Sequence, residues 1–255
     1  MTPLSSALKL YLECGRKTVR ALGRSLPALL ALGLYSVIIV ALSSLVAPLG
    51  LVGGFAVGLF HAGCAGSYLY LVDEVVCRDR KLGLSDLTDS AGPYLWEVIS
   101  VLFIFWIAEM VLQLLGLSGL TLALVLVAFL LFNAVPEVLY QSRARSTEAL
   151  SSSTSFIKEN WPEWFAPQVL LILVLAPLLH SSALNLLRMF GPFFGFLDVT
   201  APLALEFFAG RANTVMLSWS ALAVISVHSM MLFRGFLYAE LSTGSRRTRA
   251  WKARF

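Results

Sequence analysis

The chain has 255 residues, of which 58% are hydrophobic and only 13% are charged, with a mean hydropathy of +0.81 and a formal net charge of +4. A soluble domain carries about 25% charged residues, so this composition excludes an ordinary soluble fold and predicts a membrane protein. The positive charge requires no nucleic-acid partner, because basic segments beside membrane spans attract anionic lipid headgroups. We therefore expect the lipid bilayer as a partner and no nucleic acid.

Uninterrupted apolar runs predict six transmembrane helices, because each run is long enough to cross a hydrocarbon core of ~30 Å. Residues 1–25 precede the runs as an amphipathic surface segment, and residues 239–255 follow them as a basic tail. The whole chain, 1–255, is thus a single membrane domain with an all-α fold, a polytopic membrane helical bundle. The predicted spans are about 26–47, 50–76, 95–115, 120–140, 166–187 and 213–238.

The N-terminal segment has apolar residues at helical spacing, beginning with Leu4 and Leu8, and basic residues that include Lys9 and Arg16. This pattern predicts a helix lying on the membrane surface. The first apolar run starts only after about 25 residues that include Glu13, and no small-residue cleavage site follows. We therefore interpret that run as a retained span and not as a removed signal peptide.

The second predicted span contains two pairs of small residues at helical spacing, Gly54 with Gly58 and Ala62 with Gly66. Such pairs let helix backbones approach closely in lipid, where packing drives helix association. A helix that only faces lipid gains nothing from so many glycines. We therefore expect this span at the centre of the bundle, with these four residues at helix contacts.

His61 and Cys64 share a face of the second span, and His180 and His228 lie in later spans. A metal site needs about four ligands, so a hydrogen-bonded histidine is the preferred interpretation of His61 and no metal is expected. The chain contains no phosphate-binding loop, no paired-histidine metalloprotease helix and no Gly-x-Ser-x-Gly elbow. We therefore predict no catalytic residues and no cofactor, and expect that the protein is not an enzyme.

Glu109 is the leading candidate for a polar site, because ionisable side chains inside a membrane are costly. Gln113 lies four residues further on and shares its helix face. The pair suggests a proton or cation relay, and the alternative is a neutral or paired carboxyl group that packs between helices. Asn133 with Pro136 either opens the backbone of the fourth span to line a cavity or forms a kink with a helix–helix hydrogen bond, and the kink is favoured.

Four charged residues fall near the cytoplasmic boundary of the predicted spans, where long side chains can reach the interface. We assign them to structural pairing or to topology. They are Glu97, Glu137, Arg234 and Glu240.

Between the fifth and sixth spans, residues 188–212 contain six phenylalanines among glycines and prolines that break helices. This composition predicts a broken or re-entrant hairpin that caps the outer face, and the alternative is an interfacial helix that only anchors the sixth span. Asp198, Glu206 and Arg211 then lie at the outer rim, with Glu206 and Arg211 spaced to pair.

If the N-terminus is cytoplasmic, all of the 19 basic residues except Arg188 and Arg211 fall in cytoplasmic segments or at the inner end of the last span. The positive-inside rule therefore predicts that both termini are cytoplasmic. Each pair of spans follows a cytoplasmic amphipathic segment, the second at about 84–92 and the third at about 146–160, so the chain reads as three similar hairpins. This pattern suggests internal repetition, although any six-span chain divides in this way.

The segment after the fourth span reads Glu148-Ala149-Leu150, then Ser155, then Lys158-Glu159-Asn160-Trp161. It resembles a motif of six-span bacterial membrane proteins of the YciC-like and glycerophosphodiesterase-membrane-domain-like group. Residues 77–103 also look like the second cytoplasmic connection of that group. The resemblance implies a bundle in the bacterial inner membrane, linked to envelope maintenance or transport, and it carries over no catalytic residues.

Three functions are consistent with these observations. The first is a non-enzymatic scaffold that supports envelope or membrane-complex partners, including a membrane-protein partner or a second copy of this chain. The second is a permease or lipid-handling channel that uses a polar cavity around Glu109. The third, an intramembrane enzyme, is the least favoured, because no coherent nucleophile or metal set exists. A sealed core would favour the scaffold, and a cavity reaching Glu109 would favour transport.

Overall fold

The computed structural model describes residues 3–179, 189, 192–211 and 213–243, and its regular structure in those ranges is entirely helical. The all-α part of the predicted fold is therefore confirmed. The ten α-helices of the described residues are α1 Pro3–Leu22, α2 Leu26–Val46, α3 Gly50–Val76, α4 Asp86–Asp89, α5 Leu95–Leu114, α6 Thr121–Phe132, α7 Val135–Glu137, α8 Ser146–Leu179, α9 Ala201–Phe208 and α10 Thr214–Ser242.

Three described stretches are long and apolar enough to cross a membrane: Leu26–Val76, Leu95–Leu114 and Thr214–Ser242. A fourth forms if Thr121–Phe132 and Val135–Ser142, which differ in direction by 46°, count as one bent span. The first stretch comprises α2 and α3, which pack against each other on either side of the 3-10 turn Ala47–Leu49. The protein thus has several apolar helices compatible with a membrane, and the count of six spans stays a prediction.

The turn between α2 and α3 depends on two glycines. Gly50 has a φ of +55°, in the left-handed region that favours glycine. A Cβ on Gly53 would lie 2.2 Å from the carbonyl oxygen of Val46, so no larger residue fits there without movement of the backbone. Part of the glycine content of the second predicted span therefore serves the turn.

The two halves of α3 differ in environment. From Ala62 to Val75 the helix is mostly buried, whereas Leu51 and Val52 near its start are 82% and 70% exposed. We call the end of the bundle where α3 finishes the basic end, because Arg78 and Arg80 follow there, and the opposite end the turn end. The central position predicted for this span therefore applies to its basic-end half.

The structure joins two elements that the sequence separated. The predicted surface segment at residues 146–160 and the predicted span from residue 166 form one continuous helix, α8, of 34 residues. Pro167 removes the N–H that would bind the carbonyl of Glu163, and Tyr11 of α1 supplies a replacement, because its hydroxyl donates to that carbonyl at 2.9 Å. An external donor thus satisfies the carbonyl that the proline leaves unbonded.

The N-terminal amphipathic helix is present as α1, and it packs against α10. Lys17 pairs with Glu240 at 2.5 Å, and the hydrogen bond to that carboxylate raises the pKa of Lys17. Leu8, Leu12 and Val19 are exposed on a different face of the same helix. One face of α1 therefore contacts the bundle while an apolar face remains available to lipid.

The described part of the segment between the fifth and sixth predicted spans folds into the bundle. Phe196 is buried, and its ring centroid lies 5.0 Å from that of Tyr68, which is about 27 Å along α3 from Gly50. The backbone N–H of Thr200 donates to the hydroxyl of Ser36, midway along α2, at 3.0 Å. This re-entrant segment, 192–200, is therefore more than a surface cap. Arg188, Phe190, Gly191 and Ala212 lie outside the described residues.

Burial of Phe196 predicts slow reaction of a cysteine at that position. The test uses a chain whose native cysteines are replaced by alanine. In it, Phe196→Cys should react with a water-soluble maleimide much more slowly than Arg211→Cys, because the side chain at position 211 is exposed. Denatured samples control for intrinsic reactivity, because both variants should then react at the same rate. Equal rates in the folded protein would show that the segment does not enter the bundle.

Candidate functional site

A cavity of about 660 Å³ lies between α2, α3, α5 and the re-entrant segment, and we call it the turn-end cavity. Its walls are mainly apolar. Phe55, Phe103 and Trp106 line it while remaining 57%, 49% and 46% exposed, so the cavity opens sideways between the helices. Its volume is in the range of sites that bind small molecules, about 300–1,000 Å³.

The turn-end cavity brings together six residues that the sequence singled out separately. They come from α3, α5 and the re-entrant segment, so their meeting is a tertiary feature. They are Gly54, Gly58, His61, Ala62, Glu109 and Asp198.

Three of these side chains give the cavity a polar region. His61 projects from the middle of α3, Glu109 lies five residues before the end of α5, and Asp198 ends the 3-10 turn Gly195–Asp198. His61 and Asp198 line the same cavity although they belong to different elements. The cavity therefore combines an apolar wall with a small polar group, as ligand sites commonly do.

The small residues of α3 serve two different purposes. A Cβ on Gly66 would lie 3.1 Å from the backbone nitrogen of Leu95, so α3 and the start of α5 approach closely there. At Gly54 and Gly58, apart from the chain neighbours and the local helix backbone, no heavy atom of the described residues lies within 4 Å of such a Cβ. Helix packing, the predicted role, thus fits Gly66 and the buried Ala62, whereas Gly54 and Gly58 leave space in the cavity.

The remaining predicted site residues lie elsewhere. Gln113 is exposed and does not line the turn-end cavity with Glu109. Arg211 donates to Glu206 through Nε at 2.7 Å and through Nη2 at 3.1 Å, and these hydrogen bonds lower the pKa of Glu206. This pair lies at the exposed end of α9, so of the three predicted rim residues only Asp198 reaches the cavity.

Asn133 belongs to a second, fully buried polar cluster. Arg234 of α10 binds both carboxylate oxygens of Glu137, each at 2.8 Å, and also donates to the carbonyl oxygen of Asn133 at 2.6 Å. The guanidinium group lies 5.1 Å from the ring centroid of Trp164, whose Nε1 donates to the side-chain oxygen of Asn133 at 2.8 Å. We call Asn133, Glu137, Trp164 and Arg234 the buried ion-pair cluster.

This cluster forms at a break in the fourth predicted span, which the structure divides into α6, α7 and the π-helical turn Val138–Ser142. Pro136 lacks the N–H that would bind the carbonyl of Phe132 in a continuous helix, and side chains bind two other carbonyls near this break. Arg234 binds the carbonyl of Asn133, and Ser153 of α8 donates to the carbonyl of Leu131 at 3.3 Å. The favoured kink with a helix–helix hydrogen bond is thus what the structure shows at Asn133.

Sequence reasoning missed the role of Ser153, which lies in a serine-rich stretch without a distinctive pattern. It placed Glu137 and Arg234 at the membrane boundary as structural charges without pairing them. Charges of opposite sign in two apolar spans, each near the same predicted boundary, are the signal that could have identified this pair.

His228 takes part in a third buried group of polar side chains. Its Nε2 lies 2.8 Å from the hydroxyl oxygen of Ser25, and its Nδ1 lies 2.8 Å from that of Tyr68. Both ring nitrogens are therefore satisfied by protein groups. In the described ranges no three His, Cys, Asp or Glu side chains are placed to hold a metal ion, and His180 lies outside those ranges.

The chain matches no family model, no curated protein and no solved structure. The resemblance of residues 148–161 to the YciC-like group therefore stays a hypothesis. In the structure this stretch is part of α8, where Ala149, Phe156 and Ile157 are buried.

The buried ion-pair cluster predicts a large loss of stability when one partner is removed. Glu137→Gln and Arg234→Met should each lower the free energy of unfolding by about 3–5 kcal/mol, because the other charge stays buried without its counter-ion. Thermal or denaturant unfolding in detergent measures the loss. Arg211→Met is the matched control, because it removes an exposed ion pair and should change stability little.

A double variant tests whether the two residues act together. Glu137→Gln combined with Arg234→Met should lose less stability than the sum of the two single losses, because neither charge then remains buried alone. Additive losses would contradict a direct pairing of Glu137 with Arg234.

Proposed function

We propose that this protein is a non-enzymatic membrane protein that binds a lipid, or another apolar molecule dissolved in the membrane, in the turn-end cavity, and handles or moves it as a permease or lipid-handling channel would. The observation that supports this function is the convergence of His61, Glu109 and Asp198 on one laterally open cavity with apolar walls. An amphipathic ligand suits such a site, because its apolar part can contact Phe55 and Trp106 while its polar part reaches the three polar side chains.

The position of the opening supports a ligand that arrives through the membrane. The lining residues Leu51, Phe55 and Phe103 are exposed on helices that are apolar enough to lie in a bilayer. An apolar opening on such a surface is covered by hydrocarbon and not by water, so a lipid reaches it without crossing an aqueous path.

We further propose six spans with both termini on the cytoplasmic side of the bacterial inner membrane. The described basic residues that support this orientation lie mainly at one end of the bundle, around Arg24, Arg78, Arg80 and Arg143. The exposed apolar face of α1 suits a helix that lies at that surface.

Filling the turn-end cavity should weaken ligand binding. Gly58→Leu places a side chain into space that is open in the structure, so the variant should fold while its affinity for a fluorescent phospholipid analogue falls severalfold. Gly15→Leu is the matched control, because Gly15 is also a helical glycine with open space, on α1 and away from the cavity. Titration of the delipidated, detergent-solubilised proteins with the analogue measures both affinities.

The polar region gives a second arm of this experiment. Glu109→Gln and Asp198→Asn should change the preference for the lipid headgroup more than the affinity for the acyl chain.

If Gly58→Leu binds the analogue as tightly as Gly15→Leu does, the cavity is not the ligand site. A scaffold function, identified by co-purification of membrane partners, would then be favoured.

The proposed orientation predicts which side of the membrane each end of the bundle faces. Cys77 is exposed at the basic end, and Leu117 lies in the turn between α5 and α6. In intact cells a membrane-impermeant maleimide should label Leu117→Cys in a chain without native cysteines and should not label a chain that keeps only Cys77. Permeabilised cells control for reactivity, and the reverse labelling pattern would overturn the orientation.

A further inference from the structure

A second pocket, of about 280 Å³, lies at the basic end of the bundle, and we call it the basic-end pocket. Its walls come from the last turns of α3, the start of α5 and the turn that leads into α8. It is far from the turn-end cavity along α3 and shares no lining residue with it. Its lining residues are Tyr70, Arg78, Pro93, Tyr94, Glu97, Leu139, Arg143 and Arg145.

Three of the lining residues are arginines, and they differ in how far nearby acids neutralise them. Arg78 is 2.6 Å from Glu74 and 3.7 Å from Asp73, so its charge is compensated. The side chain of Arg145 is 84% exposed, and its Nε lies 3.9 Å from a carboxylate oxygen of Glu97, which also lines the pocket. This distance makes a loose ion pair.

The neighbouring acids are engaged by other partners as well. Glu74 also binds Arg80 at 3.2 Å, and Arg80 reaches Asp86. Asp73 accepts a hydrogen bond from the hydroxyl of Tyr94 at 3.0 Å. Asp73 and Glu74 are therefore already bound, and Glu97 has the 3.9 Å contact with Arg145.

Arg143, in contrast, has no acidic side chain of the described residues as an ion-pair partner. It is exposed at the pocket and makes no ion pair within 4 Å with any residue that the structure describes. A cation therefore remains there without a counter-ion from the described chain, beside the loosely paired Arg145. Guanidinium groups donate several hydrogen bonds in a planar fork that matches the oxygens of a phosphate.

Arg143 has a left-handed backbone conformation, which few residues other than glycine adopt. Its φ is +51°, in the left-handed region that favours glycine, at the end of the π-helical turn Val138–Ser142. Glycine would suit this backbone at least as well as arginine, so a change of Arg143 to glycine removes the side chain without straining the turn.

We propose that the basic-end pocket binds a phosphate group, with Arg143 and Arg145 as its principal donors. The pocket lies where apolar helices meet a basic surface, which is the depth of lipid headgroups, and basic pockets between helices are suited to anionic lipids. Pro93 and Leu139 give the pocket an apolar side beside the arginines. The phosphate belongs either to an anionic lipid headgroup or to a soluble phosphate compound, and binding experiments distinguish the two.

The test uses the full-length, delipidated protein in detergent, titrated in native mass spectrometry with phosphatidylglycerol, with phosphatidylcholine of the same chains, and with inorganic phosphate. Phosphatidylglycerol should bind at least severalfold more tightly than phosphatidylcholine. Arg143→Gln should reduce that affinity severalfold, and Arg145→Gln should reduce it as well. Arg20→Gln is the matched control, because it removes the same charge from an exposed site on α1 outside the pocket, and it should leave the affinity unchanged.

A further variant separates binding from folding. Arg143→Gly removes the side chain and suits the left-handed backbone, so its melting temperature should equal or exceed that of the natural chain while its affinity for phosphatidylglycerol falls. A fall in affinity without a fall in melting temperature supports a binding role for Arg143.

The remaining outcomes identify the source of the phosphate or overturn the proposal. If inorganic phosphate competes at millimolar concentration and loses its effect in Arg143→Gln, the site takes a soluble phosphate compound. If Arg143→Gln, Arg145→Gln and Arg20→Gln all bind phosphatidylglycerol equally, the pocket is not a phosphate site. Gly58→Leu should not change this affinity, so failure of the turn-end cavity as a ligand site would be seen separately.

Discussion

The bidentate pair of Arg234 with Glu137 is the interaction on which the basic-end half of the bundle depends. In an apolar interior each backbone carbonyl and N–H needs a partner, because no water can replace one. At the break beside Pro136, Arg234 donates to the carbonyl of Asn133 while it neutralises Glu137. One side chain thus satisfies the broken backbone and the buried charge, which joins α10 to the fourth predicted span.

The same requirement explains how other irregular backbone enters the bundle. The hydroxyl of Ser36 accepts from the backbone N–H of Thr200, and the hydroxyl of Tyr11 binds the carbonyl that Pro167 leaves without a helical donor. These contacts concentrate in the middle and at the basic end, where α3 is buried. At the turn end α3 lacks such neighbours, and there Gly58 faces open space. The cavity is therefore the region that the packing leaves unfilled.

The sequence predicted the all-helical fold, because long apolar runs are visible along the chain. It also identified Glu109, His61 and Asp198 one by one, since each is a polar side chain in an apolar setting. It could not show that they line one cavity, because their meeting depends on how three separate elements pack. It separated residues 146–160 from the span that begins at residue 166, whereas α8 is continuous there, and the donor from α1 that binds the carbonyl of Glu163 is distant in sequence. Arg143 was predicted only as a topological charge, because its left-handed backbone is not visible in the sequence.

The arrangement of buried side chains bears on how a ligand could reach the turn-end cavity. Tyr68 lies about two helical turns beyond His61 toward the basic end. It is fully buried between His228, which it binds, and Phe196 of the re-entrant segment. A path along the bundle axis would have to displace this layer and break the hydrogen bonds of His228. Entry from the side passes only the exposed rings of Phe55 and Phe103 and breaks none of those contacts. Lateral access thus disturbs less of the packed core, which favours a ligand dissolved in the membrane over one that crosses through a water-filled pore.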